Sequence, residues 1–565
     1  MLAAGGPLGK CVSLLNKQSF LILMLAMLAA VILVGHQTVP PMDRDEARFA
    51  QASKQMLASG DYVTVRFQDE LRAKKPAGIY WLQSIAAGLF GADHIAAYRL
   101  PSLLAYLVTI WGTYHLASHL YRKPRALLAA AVLGASLLVF AEAHLAKTDT
   151  VLMALCLAQQ MALMRIYLAF QLGRAPPERS WFWFWVFMGS AIMIKGPIAP
   201  LLGFATIAAL CLWDRSYRWV WKLHFARGLL VLAGLNLPWA ILVTLATDGT
   251  FLDIAVRGDF LAKVRAGQES HGAPIGTYMV ILGLLIWPSC ILLPRAVAQV
   301  STLLAHAQSR FLIAWIFPFW LLIELIPTKL PHYTLPVFPA LAVLLVCAVE
   351  VRLPGDPKSG KLRYKLQRYV ALAGEYAMLA TAGVLAAVVL WAAITHGGQT
   401  AGRAFSFAMI SLALLAVVLW QGILWHRGGG IRPIAIILFV GVMFNFSLIS
   451  GLLPALSRLH VSTAIDQAIT SLKLNPPAIA AAGFHEPSLV FLRGSDLLLL
   501  NGSEAALFLA EAPGGLAIVE NRQREAFLAM AGQLGEELLP PYQISGFNVS
   551  KGNDVMIFLY RSAFE

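Results

Sequence analysis

Apolar residues along this chain come in long blocks. Blocks such as 20–34, 126–140 and 228–245 approach the roughly 18 to 20 residues that an α-helix needs to cross a hydrocarbon core about 30 Å thick. Short polar segments separate the blocks, and their alternation predicts about thirteen transmembrane helices. Two stretches depart from this pattern. Residues 43–59 place Phe49, Ala52, Met56 and Leu57 on one helical face, with Asp43 and Glu46 at the spacing of a capping box. Residues 77–90 form a second amphipathic stretch. Both lie in the segment 37–98 that follows the first span, and helices of this kind rest in the interface plane and line a cavity open to lipid. After about residue 456 the blocks stop. Strand-like runs at 497–500 and 555–560 mix with a helix-like run at 522–534. This predicts a small α/β domain over 456–565, following a transmembrane domain over 1–455.

Composition agrees with an α-helical polytopic membrane protein. Of 565 residues, 58% are hydrophobic and 13% charged, and the mean hydropathy of +0.68 excludes a soluble globular exterior. The formal charge of +14 is distributed among loops, whereas a nucleic-acid binder gathers its charge on one face, so nucleic acid is not an expected partner. Basic clusters occur at Arg122, Lys123 and Arg125, at Arg215, Arg218, Lys222 and Arg227, at Lys358, Lys361, Arg363, Lys365 and Arg368, and at Arg427 and Arg432. Counting spans from a cytoplasmic N-terminus puts all of them on the cytoplasmic side, as the positive-inside rule requires. Segments 37–98, 142–149, 247–275 and the C-terminal domain then face outward. Lys10 and Lys17 precede the first apolar block as in a signal peptide, but no small-residue cleavage site follows, so a retained span is expected.

Polar residues that carry chemistry gather in the outward segments. Asp45-Glu46-Ala47-Arg48-Phe49-Ala50 follows the first span, and its paired acids suit a general base near a substrate hydroxyl or a divalent-cation site. They equally suit a charged first turn of a helix. Asp149, in Lys147-Thr148-Asp149-Thr150, sits where an outward turn enters the next span. An ionisable residue at membrane depth is a functional candidate by default, although Asp is also a common N-cap. Lys75-Pro76, Lys195-Gly196-Pro197 and Lys329-Leu330-Pro331-His332-Tyr333 put three lysines at the same face. Each alone reads as a snorkelling side chain, but together they can hold the phosphate of an anionic lipid carrier and stabilise it as a leaving group. Tyr80, Tyr278 and Tyr333 suit packing on a sugar or prenyl chain, or an interfacial aromatic belt. His271 is a phosphate contact or, with Glu46, a weak candidate for a divalent metal; the pattern demands no cofactor.

Taken in order, Asp45 to Ala50, Met56-Leu57-Ala58-Ser59-Gly60-Asp61-Tyr62, Lys75-Pro76 with Tyr80-Trp81, Asp149, Lys195-Gly196-Pro197, His271 with Pro274, and Lys329 to Tyr333 resemble the bacterial 4-amino-4-deoxy-L-arabinose lipid A transferases. That family is related to the protein O-mannosyltransferases, and the resemblance covers roughly residues 40–340. It implies a multi-span glycosyltransferase of the GT-C type, with juxtamembrane helices in its first periplasmic loop, in the bacterial inner membrane. Such an enzyme moves a sugar, with inversion, from a polyprenyl (undecaprenyl) phosphate carrier to lipid A or a related envelope acceptor at the periplasmic face. By the resemblance, Asp45 is the catalytic carboxylate, Asp149 a second essential acid, Lys75 a carrier-phosphate contact and Tyr333 a neighbour of that phosphate. Glu46, Arg48, Lys195, His271 and Lys329 complete the expected substrate-binding set. Lys74 stands where family members commonly have Glu, Gly272 where a basic residue is common, and Phe49 where Tyr is usual. These departures keep hexose and uronic-acid donors open, with lipopolysaccharide or protein as acceptor. A polyprenyl-lipid transporter is the alternative from another class, but transporter sites lie near the midplane of repeated halves.

Overall fold

Long helices form where the apolar blocks predict them, and the breaks between them carry the polar residues to one end. The computed structural model describes residues 17–121, 123–255, 272–298, 304–347, 349, 361–428 and 430–563. His271, Arg122, Lys358 and the other residues between these ranges lie outside the described set.

Among the described residues eight helices are long and apolar enough to cross a membrane: Ser19–Thr38, Ile95–Leu120, Asp149–Gln171, Phe225–Ala246, Ala307–Leu325, Leu372–His396, Gly398–His426 and Ile431–Ala455. Two bent pairs raise this to ten. Pro124–Ala135 turns by 64° into Leu137–Ala143, and Thr277–Leu285 by 117° into Ser289–Ala298. The expected number of about thirteen is reached only if Ser180–Lys195, Ile198–Asp214 and Pro331–Val346 cross as well. At 1.5 Å per residue, a 16-residue helix covers only about 24 Å. The first bend is satisfied internally: Leu137 N donates to Trp287 O at 2.9 Å, so the bond lost at the break is replaced by the other bent pair. Non-helical backbone at this depth is tolerated only when protein covers it.

The segment after the first span folds as expected into two helices, Asp45–Ser59 and Gly78–Phe90. The first ends at Gly60, whose φ of 70° forms a left-handed cap. Ser53 Oγ lies 2.7 Å from Gln83 Oε1 and Ser84 Oγ donates to Ser53 O at 2.9 Å, which ties the pair together. Between them runs a short hairpin, β1 (Arg66–Phe67) and β2 (Glu70–Leu71). The expected capping box does not form. Arg44 is the N-cap residue and makes no side-chain cap bond, because Asp43 turns away to another part of the chain.

After the span Ile431–Ala455 the chain builds a five-stranded sheet. Its strands are β3 (Ile479–Ala482), β4 (Leu498–Leu500), β5 (Leu516–Glu520), β6 (Tyr542–Asn548) and β7 (Asn553–Tyr560), in the order β4-β3-β5-β7-β6. β3 pairs in parallel with β4 and β5, while β7 is antiparallel to β5 and β6. All five residues of β5 are buried, as a central strand covered on both faces requires. Helix Asn521–Gln533 matches the helix-like run predicted there. This sheet region rests on helix Asp45–Ser59 through helix Pro487–Arg493. Phe491 is buried among Ala50, Ala87, Tyr98 and Ala146, and Gln51 Nε2 donates to Ser495 Oγ at 2.9 Å.

Candidate active site

Four segment ends bring ionisable side chains to one point beneath the juxtamembrane helices. The turn after Leu137–Ala143 delivers Glu142 and Lys147, and Asp149 opens the next span. Lys195 ends helix Ser180–Lys195, where Gly196, at φ 67°, lets the backbone reverse into Ile198–Asp214. His332 and Tyr333 come from the 3-10 turn Pro331–Val337. The 142–149 turn is pinned from behind: Ser102 Oγ donates to Leu145 O at 2.6 Å and Thr150 Oγ1 to Glu142 O at 3.1 Å.

Asp149 is the centre of the cluster and is 3% exposed. Its Oδ1 accepts from Lys195 Nζ at 2.5 Å and lies 3.9 Å from His332 Nε2, while Oδ2 is 3.9 Å from Lys147 Nζ. Lys147 Nζ also donates to Glu142 Oε1 at 3.1 Å and stands 3.5 Å from His332 Nδ1. Lys195 Nζ sits 5.3 Å from the centre of the Tyr333 ring, a cation–π distance. Burial works against the Lys147 ammonium, but the carboxylates of Glu142, Asp149 and Asp45 outweigh it and hold its pKa above that of a free lysine. From the first loop the charge of Lys75 acts on His332 and that of Asp45 on Lys147. Asp45 is exposed and Lys75 half-buried.

Similarity to known proteins joins this geometry to a family. Residues 74–241 match the family model described as dolichyl-phosphate-mannose-protein mannosyltransferase. The chain is 28% identical over 440 residues to undecaprenyl phosphate-alpha-4-amino-4-deoxy-L-arabinose arabinosyl transferase 1 of Pseudomonas fluorescens (strain Pf0-1), a match covering 77% of this chain and 72% of that one. To the corresponding transferase of Pseudomonas aeruginosa (strain UCBPP-PA14) it is 29% identical over 313 residues, covering 55% of this chain and 56% of the other. The fold is that of ArnT from Cupriavidus metallidurans, with a TM-score of 0.72 at 19% identity over 96% of this chain and 98% of that one; the same protein is also known bound to undecaprenyl phosphate. The chain is thus similar in sequence to the 4-amino-4-deoxy-L-arabinose transferases and shares the fold of one of them.

Within this glycosyltransferase, the residues singled out by sequence divide into two groups. Asp149, Lys195 and Tyr333 meet at one site, and the charges of Asp45 and Lys75 act on it. Arg48 is half-buried, and its charge reaches Asp43. Glu46 and Lys329 do not fit a substrate or metal contact, because their polar atoms are already engaged. Glu46 Oε1 accepts from Arg99 Nε and Ala146 N, and Oε2 from Arg99 Nη2 and Met42 N, at 2.8 to 2.9 Å. Lys329 Nζ donates to Glu324 O at 2.7 Å and to Ile326 O, so it caps the end of helix Ala307–Leu325. Tyr80 packs on Phe49 and takes a 3.1 Å bond from Arg72 Nε, while the Tyr278 hydroxyl holds the backbone at Leu330. Among the described residues no group of three His, Cys, Asp or Glu side chains is placed to hold a metal ion.

Sequence reasoning missed Glu142, Lys147, His332 and Arg99 as members of this architecture. Arg99 carried a signal: it is a lone charge near the start of an apolar helix, Ile95–Leu120, and such a residue needs a buried partner. Glu142, Lys147 and His332 were legible only as neighbours of Asp149 and Tyr333.

Proposed function

We propose that this glycosyltransferase moves 4-amino-4-deoxy-L-arabinose from undecaprenyl phosphate to a lipid A or related envelope acceptor, at the periplasmic face of the bacterial inner membrane. The observation that carries this reading is the pairing of Lys147 and Lys195 with the buried Asp149, in a cluster on which the charges of Asp45 and Lys75 also act. A carrier phosphodiester is a poor electrophile until its leaving phosphate is stabilised, and ammonium groups held in a water-poor site supply that stabilisation. Asp149 keeps Lys195 and Lys147 from snorkelling apart and so preorganises them.

An oxygen of the acceptor attacks the anomeric carbon from the face opposite the phosphate. The new carbon–oxygen bond forms as the bond to the carrier phosphate breaks, through an oxocarbenium-like transition state, and the bonding pair leaves with the phosphate. Asp45 takes the proton when the attacking oxygen is a hydroxyl, and orients the acceptor when it is an ionised phosphate. The configuration at the anomeric carbon inverts. One observation favours a second reading of the sugar. Lys74 is exposed where family members commonly carry Glu, which suits a donor bearing a carboxylate better than one bearing an amine.

Mass spectrometry of lipid A and other envelope glycolipids from cells carrying the wild-type protein, carrying Asp45→Asn, or lacking the gene tests both. A sugar mass lost from both altered strains supports transfer, and its value separates an aminopentose from a hexose or a uronic acid. An unchanged profile with the protein expressed sinks the lipid A acceptor. Carrier binding retained by Asp45→Asn without transfer separates an enzyme from a transporter.

A further inference from the structure

We infer that the C-terminal sheet region positions the proton acceptor: Asp43 and Arg44, gripped by residues of that region, aim Asp45. The inference rests on the catalytic assignment of Asp45 made above.

The grip is built from two contacts on consecutive residues. Asp43 Oδ1 accepts from Ser488 N at 3.2 Å and from Ser488 Oγ, which in turn lies 2.6 Å from Ser462 Oγ. Ser488 belongs to the first turn of helix Pro487–Arg493, so Asp43 caps a helix of the distant sheet region and leaves its own helix uncapped. Arg44 Nη2 donates to Ser550 O. Behind both contacts stands one frame: Glu486 accepts from Asn548 Nδ2 at 2.8 Å and from Ser550 Oγ at 2.9 Å. Ser488 and Ser550 are thereby fixed relative to each other.

Between these holds the backbone is strained. Arg44 has φ 65° and ψ −103°, a conformation that a residue with a Cβ adopts at a cost of about 1 to 3 kcal/mol and keeps only when its surroundings over-determine it. The very next residue is Asp45. On the opposite side the turn is tied to the membrane helices, since Met42 N donates to Glu46 Oε2, and Glu46 is locked to Arg99. Asp45 thus projects, exposed, from a turn anchored in two bodies. A chain that only needed to enter a helix would take an ordinary cap at Arg44. The strained turn has a use if it sets the direction of the carboxylate next to it. Asp43 and Arg44 are positioning residues, and Ser488 is the domain side of the clasp.

The test compares full-length wild type, Asp45→Asn, Asp43→Ala, Asp43→Asn and Ser488→Ala in lipid nanodiscs. The readouts are kcat and donor KM for transfer, and binding of undecaprenyl phosphate. Misplacing a reacting group by an ångström costs up to about a hundredfold, so Asp43→Ala is expected to lower kcat by roughly tenfold or more while donor KM and carrier binding stay within about threefold. Asp43→Asn, whose amide oxygen still accepts from Ser488, is expected to restore most of kcat, which a mere loss of folded protein would not allow. Ser488→Ala removes one hydroxyl and leaves the backbone contact, so it keeps the test alive if Asp43→Ala does not fold. An inactive Asp45→Asn alongside wild-type kcat in Asp43→Ala, or in Ser488→Ala where Asp43→Ala is unfolded, overturns the inference and leaves the catalytic assignment standing. An active Asp45→Asn overturns the assignment itself, and the inference with it.

Discussion

Replacing Arg99 by Met should destabilise the protein severely without touching the reacting groups. Arg99 is fully buried and spends its guanidinium on five bonds: two to Glu46 at 2.8 Å, and one each to His36 O at 3.0 Å, Val39 O at 2.7 Å and Pro40 O at 3.0 Å. It therefore closes the end of the first span and neutralises a carboxylate at 2% exposure. Met is close in volume, so the loss is electrostatic rather than a cavity. Removing one partner of a buried ion pair costs about 3 to 5 kcal/mol, because the remaining charge stays desolvated and unpaired. At about 2 °C per kcal/mol for a long chain, the melting midpoint should fall by roughly 6 to 10 °C. The 15 tryptophans make intrinsic fluorescence a direct readout in detergent or nanodiscs. Arg99→Met with Glu46→Leu should regain part of that loss, since an apolar pair of similar volume carries no buried charge. A midpoint within about 1 °C of wild type for Arg99→Met would refute the reasoning. So would a Glu46→Gln protein that melts normally and loses carrier affinity, since that would make Glu46 a ligand.

Three further outcomes follow from the geometry. Asp149→Asn should leave carrier binding in place and lower the transfer rate by roughly a hundredfold, as Lys195 and Lys147 lose the anion that preorganises them; rates and carrier affinity measured side by side check it. Lys329→Met should lower thermal stability by about 1 to 3 kcal/mol through the unpaired carbonyls of Glu324 and Ile326, with donor KM unchanged. Burial pushes the Asp43 carboxyl up to about 6, with nearby Glu486 adding to it against the bonds from Ser488 and the charge of Arg48. The folded state then holds a proton that the unfolded chain has already released, so this group's contribution is full below about pH 4 and is lost as pH rises through about 6, by at most about 3 kcal/mol. Melting curves of Asp43→Asn should therefore gain on wild type as pH rises from about 4 to 7, and a constant difference would contradict the shift.

Much of the architecture was legible because it follows from composition at short range. Blocks of apolar residues predict spans, and periodic faces predict the helices Asp45–Ser59 and Gly78–Phe90. Short apolar runs predict β4 and β7. The site was legible to the extent that charges at membrane ends are costly and hence conspicuous: Asp149, Lys195 and Lys75 stand out for that reason. What sequence could not show was which charges meet. Glu46 and Asp45 are adjacent and chemically alike, yet successive helix positions point about 100° apart, so one turns into the protein towards Arg99 and the other out to the cleft. Asp43 looked like a local cap because local spacing fits one, and its partner Ser488 lies in another part of the fold. Lys329 read as a phosphate contact because lysine at a membrane edge normally reaches for an anion, whereas the helix end beside it offers carbonyls within closer reach.

The clasp on Asp43 and Arg44 joins positions 445 and 506 residues apart in sequence. At a synthesis rate of about 5 to 20 residues per second, the first loop emerges and waits roughly 20 to 100 s before Ser488 and Ser550, which hold it, exist. During that interval the first helices can insert and pack, but the turn before Asp45 has nothing to keep it strained. On the positioning role inferred above, a chain released early from the ribosome, or cleaved beyond the last span, would be a membrane-embedded bundle with its acids and lysines present and Asp45 unaimed. Activity would then report that the segment carrying Ser488 and Ser550 has been made and docked.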